Sequence, residues 1–134
     1  MTITEHEAVA VLFVDDEPDH HLLLDYALRA SDAVTVVHAY SGAQGLTSAQ
    51  EDRPDVIIAD VVMPGMDGFQ MAYTLSESDV TRDIPIIFLT ARARQIDVQR
   101  GKRLGAVGYI TKPFDPSSLE TRILDILRGS NTGG

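Results

Sequence analysis

Five short runs rich in Val and Ile, each too short for a helix and each bounded by polar or turn residues, constrain this chain more than any other feature. They fall at Val9–Val14, Val34–Ala39, 56–59, 84–89 and 107–110. Continuous apolar runs, unlike alternating ones, are what a strand covered on both faces needs. A single stretch of helical character separates each run from the next. Repeated β-α order with doubly covered strands predicts one α/β domain, a five-stranded parallel sheet with helices on both faces and right-handed crossovers. A chain of 134 residues, 44% of them hydrophobic, is long enough for one such core and too short for two.

Local signals place the helices. Leu22, Leu23, Tyr26, Ala27 and Ala30 have the spacing of a buried helical face, and Pro18 stands where a missing N–H costs nothing in a first turn. Ser41 and Gln44 are spaced as a capping box, and Pro54 stops that second helix. A third is predicted from near Asp67 and Gly68 to Asp79, a fourth over 95–104, and a fifth over 117–127 with Ser117 as its cap. Residues 1–7 and 129–134 read as tails on a domain spanning 8–128.

Composition removes several classes of function. The longest apolar run, residues 8–14, is followed at once by acids, too short for a membrane span or a secretory segment. Without cysteine there is no disulfide framework and no thiolate metal site, so the cytoplasm is the default location. A net charge of -9 argues against direct nucleic-acid contact. The charge is uneven, however. Five bases (Arg92, Arg94, Arg100, Lys102, Arg103) and one acid lie between residues 92 and 103, a local +4. Such a run is a solvated helix face or a partner surface.

In open parallel sheets the functional crevice lies beyond the carboxyl ends of the strands. Reading those ends gives Asp15 and Asp16, then Asp60, Thr90 and Lys112. Each alone has a plain explanation: Asp and Thr cap helices, and lysine is usually on the surface. Together they bring three carboxylates into one crevice, where mutual repulsion calls for a cation. A hard ion with oxygen ligands fits, Mg2+ above all if phosphate is handled there.

Four blocks then resemble the signature segments of the response-regulator receiver domains of two-component signalling, a family that includes the chemotaxis regulators. They are Val11-Leu12-Phe13-Val14-Asp15-Asp16-Glu17-Pro18, Asp60 with Met63-Pro64-Gly65-Met66-Asp67-Gly68, Leu89-Thr90-Ala91, and Lys112-Pro113-Phe114, and the likeness covers about residues 9–127. It implies the flavodoxin-like (βα)5 fold with strand order 2-1-3-4-5. It further implies a switch that is not a classical enzyme. Asp60 would take a phosphoryl group from a histidine kinase or a histidine phosphotransfer protein. Asp16, Asp60 and the Val62 carbonyl would bind Mg2+ (or Mn2+), with Asp15 acting through a water. Thr90 and Lys112 would contact the phosphoryl oxygens, and Tyr109 would be the aromatic partner of Thr90 in switching. The bond before Pro113 is commonly cis in such domains, although a sequence does not reveal the isomer. The basic run and its neighbours would meet a downstream protein or a second copy of the chain, with no nucleic acid or membrane involved.

Two other readings use the same residues. One is a receiver-like interaction module without phosphorylation; the other is an aspartyl-phosphate phosphatase, which would carry a second acid where this chain has Val62. Pro64 and Gly65 occupy the central places of a type II turn that would fix the loop after Asp60. His6, His20, His21 and His38 have no metal-ligand spacing and receive no role.

Overall fold

All five Val/Ile-rich runs are strands in the computed structural model, which describes residues 8–91 and 95–132. They are β1 (Val9–Val14), β2 (Val34–Ala39), β3 (Val56–Asp60), β4 (Ile86–Thr90) and β5 (Ala106–Thr111). Strand β4 starts two residues later than the apolar run because Pro85 has no N–H to give a ladder. The sheet is parallel, in the order β2-β1-β3-β4-β5. Every residue of β3 and β4 is buried, whereas the edge strands β2 and β5 are only partly covered.

The helices are α1 (Pro18–Leu28), α2 (Gly42–Asp52), α3 (Gly68–Ser76), α4 (Gln95–Arg103) and α5 (Leu119–Thr132). Because side chains alternate along a strand, the sheet divides the core in two. Val11 and Phe13 of β1 join Leu24 and Leu28 of α1 and Leu119 and Ile123 of α5 on one face. Leu12 and Val14 join Ala49 of α2 and Phe69, Met71, Ala72 and Leu75 of α3 on the other. Among the described residues, no helix is long and apolar enough to cross a membrane.

The phase of α1 corrects the sequence reading. Its buried side is His21, Leu24 and Leu28, and Leu23 and Ala27 pack against the core as expected, while Leu22 and Tyr26 are 68% and 58% exposed and Ala30 faces solvent. Apolar residues lie all round this helix, so periodicity could not fix its phase, and a histidine on the inner face hid the true one.

Capping chemistry explains the other boundaries. The Ser41 hydroxyl accepts from the Gln44 N–H at 3.1 Å, but the Gln44 side chain accepts from Tyr40 N–H, leaving half a capping box. Helix α2 ends with Arg53 in the left-handed region (φ 46°), its N–H bonded to the Ala49 carbonyl, just before Pro54. A complete box, unforeseen in the sequence, opens α3. Asp67 Oδ1 accepts from Gln70 N–H at 2.8 Å, and Gln70 Oε1 accepts from Asp67 N–H at 2.9 Å. Ser117 is not the cap of α5: its N–H and hydroxyl both donate to Asp115 Oδ1, and the helix starts at Leu119.

Candidate functional site

Strand ends set the crevice. β1 delivers Asp15, β3 delivers Asp60, β4 ends on Thr90, and the residue after β5 is Lys112. Asp15, Asp60 and Thr90 are buried, with Asp15 fully so. Lys112 reaches across from β5, and its Nζ donates to Asp60 Oδ2 at 2.9 Å and to Asp15 Oδ2 at 3.2 Å. Its backbone N–H is tied to the Thr90 carbonyl at 2.8 Å, and the Lys112–Pro113 peptide is cis.

The loop after β3 turns back over the acceptor. Val62 N–H donates to Asp60 Oδ1 at 3.2 Å, and the Val62 side chain is 76% exposed. Gly65 adopts φ 74°, as the second central residue of a type II turn requires. At Gly68 any Cβ would run into the Asp60 carbonyl oxygen, so only glycine lets α3 start this close to the acid.

Burial pushes the Asp60 carboxyl above its ordinary range, and the hydrogen bond and charge of Lys112 only partly offset it. Burial also pulls Lys112 down, but its hydrogen bond to Asp60 and the charges of Asp60 and Asp15 outweigh this and hold the ammonium above its usual value. One ammonium faces two buried acids here, with half-buried Asp16 at the margin. Negative charge left over on hard oxygen donors suits a divalent cation such as Mg2+ or Mn2+.

The sequence did not single out His20. Its Nδ1 lies 2.8 Å from Asp15 Oδ2 and 3.1 Å from Lys112 Nζ. Asp15, His20 and Asp60 each offer a ligand atom within 4.8 Å of the others, a group that could hold a metal ion. Asp16 is not in that group and, among the described residues, forms no ion pair. Tyr109 is partly buried, donates its hydroxyl to the Val98 carbonyl at 3.2 Å and packs on Phe88. Of the basic run, Arg100, Lys102 and Arg103 are exposed on α4. Arg100 lies over the Phe69 ring and, with Arg103, lines a groove between α3 and α4. Arg92 and Arg94 lie outside the described residues.

Sheet order and strand-end acids together define a flavodoxin-like α/β domain with an acidic crevice whose side chains could hold a metal ion. The chain belongs to the response regulator receiver domain family, whose model matches residues 11–124. It is 37% identical to protein PilH of Pseudomonas aeruginosa over 119 residues, which is 89% of this chain and 98% of that one. It is 38% identical over 120 residues to the alkaline phosphatase synthesis transcriptional regulatory protein PhoP of Bacillus subtilis, covering 90% of this chain but 49% of that protein. Among solved structures, the Vibrio cholerae chemotaxis protein CheY4 superposes with a TM-score of 0.83 at 32% identity, covering 90% of this chain and 99% of that one.

Proposed function

We propose that Asp60 accepts a phosphoryl group from a phosphohistidine of a histidine kinase or phosphotransfer protein, and that the change alters the surface this domain presents to a partner. The observation that carries the reading is a buried carboxylate at the end of the third strand, held 2.9 Å from the Lys112 ammonium. In the transfer an Asp60 oxygen forms the new O–P bond as the P–N bond to the donor imidazole breaks. An anionic nucleophile approaching an anionic group needs positive charge in place beforehand. Lys112 supplies part of it and orients Asp60. A divalent ion, Mg2+ or Mn2+, held by Asp16, Asp60 and the Val62 carbonyl with Asp15 behind them, would neutralise charge on the transferred oxygens. The Thr90 hydroxyl then hydrogen-bonds a phosphoryl oxygen, and Tyr109 follows it inward.

The output surface is the face made by α4, β5 and α5, which borders both Thr90 and Tyr109. Its bases suit an acidic partner or a second copy of this acidic chain, with attraction that weakens as salt rises.

Acetyl phosphate or phosphoramidate with Mg2+ should add one phosphoryl group to the protein, seen by intact mass, and Asp60→Asn should add none. Undiminished modification of Asp60→Asn would overturn the assignment.

A further inference from the structure

We propose that His20 is a nitrogen donor to the divalent ion of the crevice and biases the site from Mg2+ toward first-row transition ions. The inference rests on the reading that this crevice takes a divalent cation. It begins with what surrounds the Lys112 ammonium. Nζ lies 2.9 Å from Asp60 Oδ2, 3.2 Å from Asp15 Oδ2 and 3.1 Å from His20 Nδ1, so two oxygens and one nitrogen converge on a single cationic point.

An ammonium has donors only, so it bonds an imidazole nitrogen solely through that nitrogen's lone pair. When Nδ1 turns its lone pair to a cation, the ring proton sits on Nε2, 3.2 Å from the Glu17 carboxylate. A histidine whose outer N–H is held by a carboxylate, with its other nitrogen turned toward acids, is arranged as metal-binding imidazoles are. Nδ1 also lies 2.8 Å from Asp15 Oδ2, so a cation taking the place of a proton between them would be shared by both atoms. The first turn of α1 sets this direction, because His20 N–H bonds the Glu17 carbonyl and the ring is carried back over the crevice.

The nitrogen decides the choice of ion. Mg2+ demands oxygen ligands and gives up water reluctantly, so an imidazole adds little to its binding. Co2+ and Zn2+ accept imidazole readily, and Mn2+ does so less strongly.

Equilibrium binding of Co2+ and of Mg2+ to the full chain, measured separately for the wild type, His20→Ala and Asp60→Asn, tests the assignment. His20→Ala should lose about tenfold or more in Co2+ affinity while its Mg2+ affinity stays within about threefold. In proton NMR spectra the Co2+ form should show a hyperfine-shifted, exchangeable imidazole N–H that His20→Ala lacks. If alanine disturbs α1, His20→Gln keeps a polar chain of similar length without the ring and gives the same reading. Co2+ affinity within about twofold of wild type in both variants, or a shifted N–H that survives them, would overturn the role of His20 alone. Binding of both ions unchanged by Asp60→Asn would place them outside the crevice and overturn the cation reading with it.

Discussion

At the β2 edge of the sheet His21, His38 and Tyr40 pack ring on ring around a closed line of hydrogen bonds, whereas at the β5 edge Tyr109 rests over a glycine. His21 Nε2 donates to the Asp15 carbonyl at 2.7 Å, and His38 Nε2 donates to Asp25 Oδ1 at 2.8 Å. The two Nδ1 atoms lie 2.6 Å apart, within hydrogen-bonding distance of each other. His21 also packs on Phe13 and Tyr40. Across the sheet, a Cβ on Gly101 would collide with the Tyr109 hydroxyl, one on Gly108 would press on Ile126, and the β4–β5 register shifts between Ile86 and Ile87. One edge is fixed by polar contacts among rings, whereas at the other Tyr109 sits directly on the glycine backbone of α4 and is bonded to the Val98 carbonyl. A switch needs two arrangements of similar free energy, and under the proposed function the β5 edge is the one that changes between them.

The sharpest way to break this contrast is to open the fixed edge. His21→Ala removes a buried ring and takes away the partner of the Asp15 carbonyl and of His38 Nδ1, so it should lower unfolding free energy by about 2–4 kcal/mol in denaturant titrations. A loss no larger than that of an exposed-site substitution, about 0.5 kcal/mol, would mean the ring cluster does not fix the edge.

A second measurement compares the edges directly. Amide hydrogen exchange with a beryllofluoride group on Asp60 should change protection within residues 98–112 and leave residues 34–40 as they were. Changes confined to α1 and α2, with the β5 edge unaltered, would reject the output surface and the contrast together.

What the sequence disclosed and what it hid divide along the same physical line. Strands covered on both faces announce themselves as unbroken apolar runs, and their carboxyl ends place Asp15, Asp60, Thr90 and Lys112 in one crevice without further information. His20 was hidden because its partners are set by a helix turn and by a lysine 92 residues away, a pairing that no local spacing encodes. The available signal was position: His20 stands in the first turn after the acid pair. The phase of α1 was hidden for a related reason, since a buried histidine reads as polar until its partners are seen. Gly68 and Gly101 look alike in sequence, yet one crowds the acceptor backbone and the other leaves space for Tyr109.

The smallest expected effect on stability carries the finest test of the β5 edge. Gly101→Ala replaces a glycine in the last turn of α4, which by itself should favour the helix by at most about 1 kcal/mol. The new methyl occupies the place of the Tyr109 hydroxyl, so the bond to the Val98 carbonyl is lost, at a cost of about 0.5–1.5 kcal/mol. The two terms oppose each other, and the unfolding midpoint should hardly move. Tyr109 should move nonetheless, losing its NMR contacts to Val98 and Phe88 and turning toward solvent. With Tyr109 displaced from its seat on Gly101, a beryllofluoride group on Asp60 should no longer alter exchange in residues 98–112 as it does in the wild type, although Asp60 remains able to accept it. Unchanged Tyr109 contacts in the Gly101→Ala protein, or an exchange response equal to that of the wild type, would show that the space over Gly101 is not what lets this edge switch.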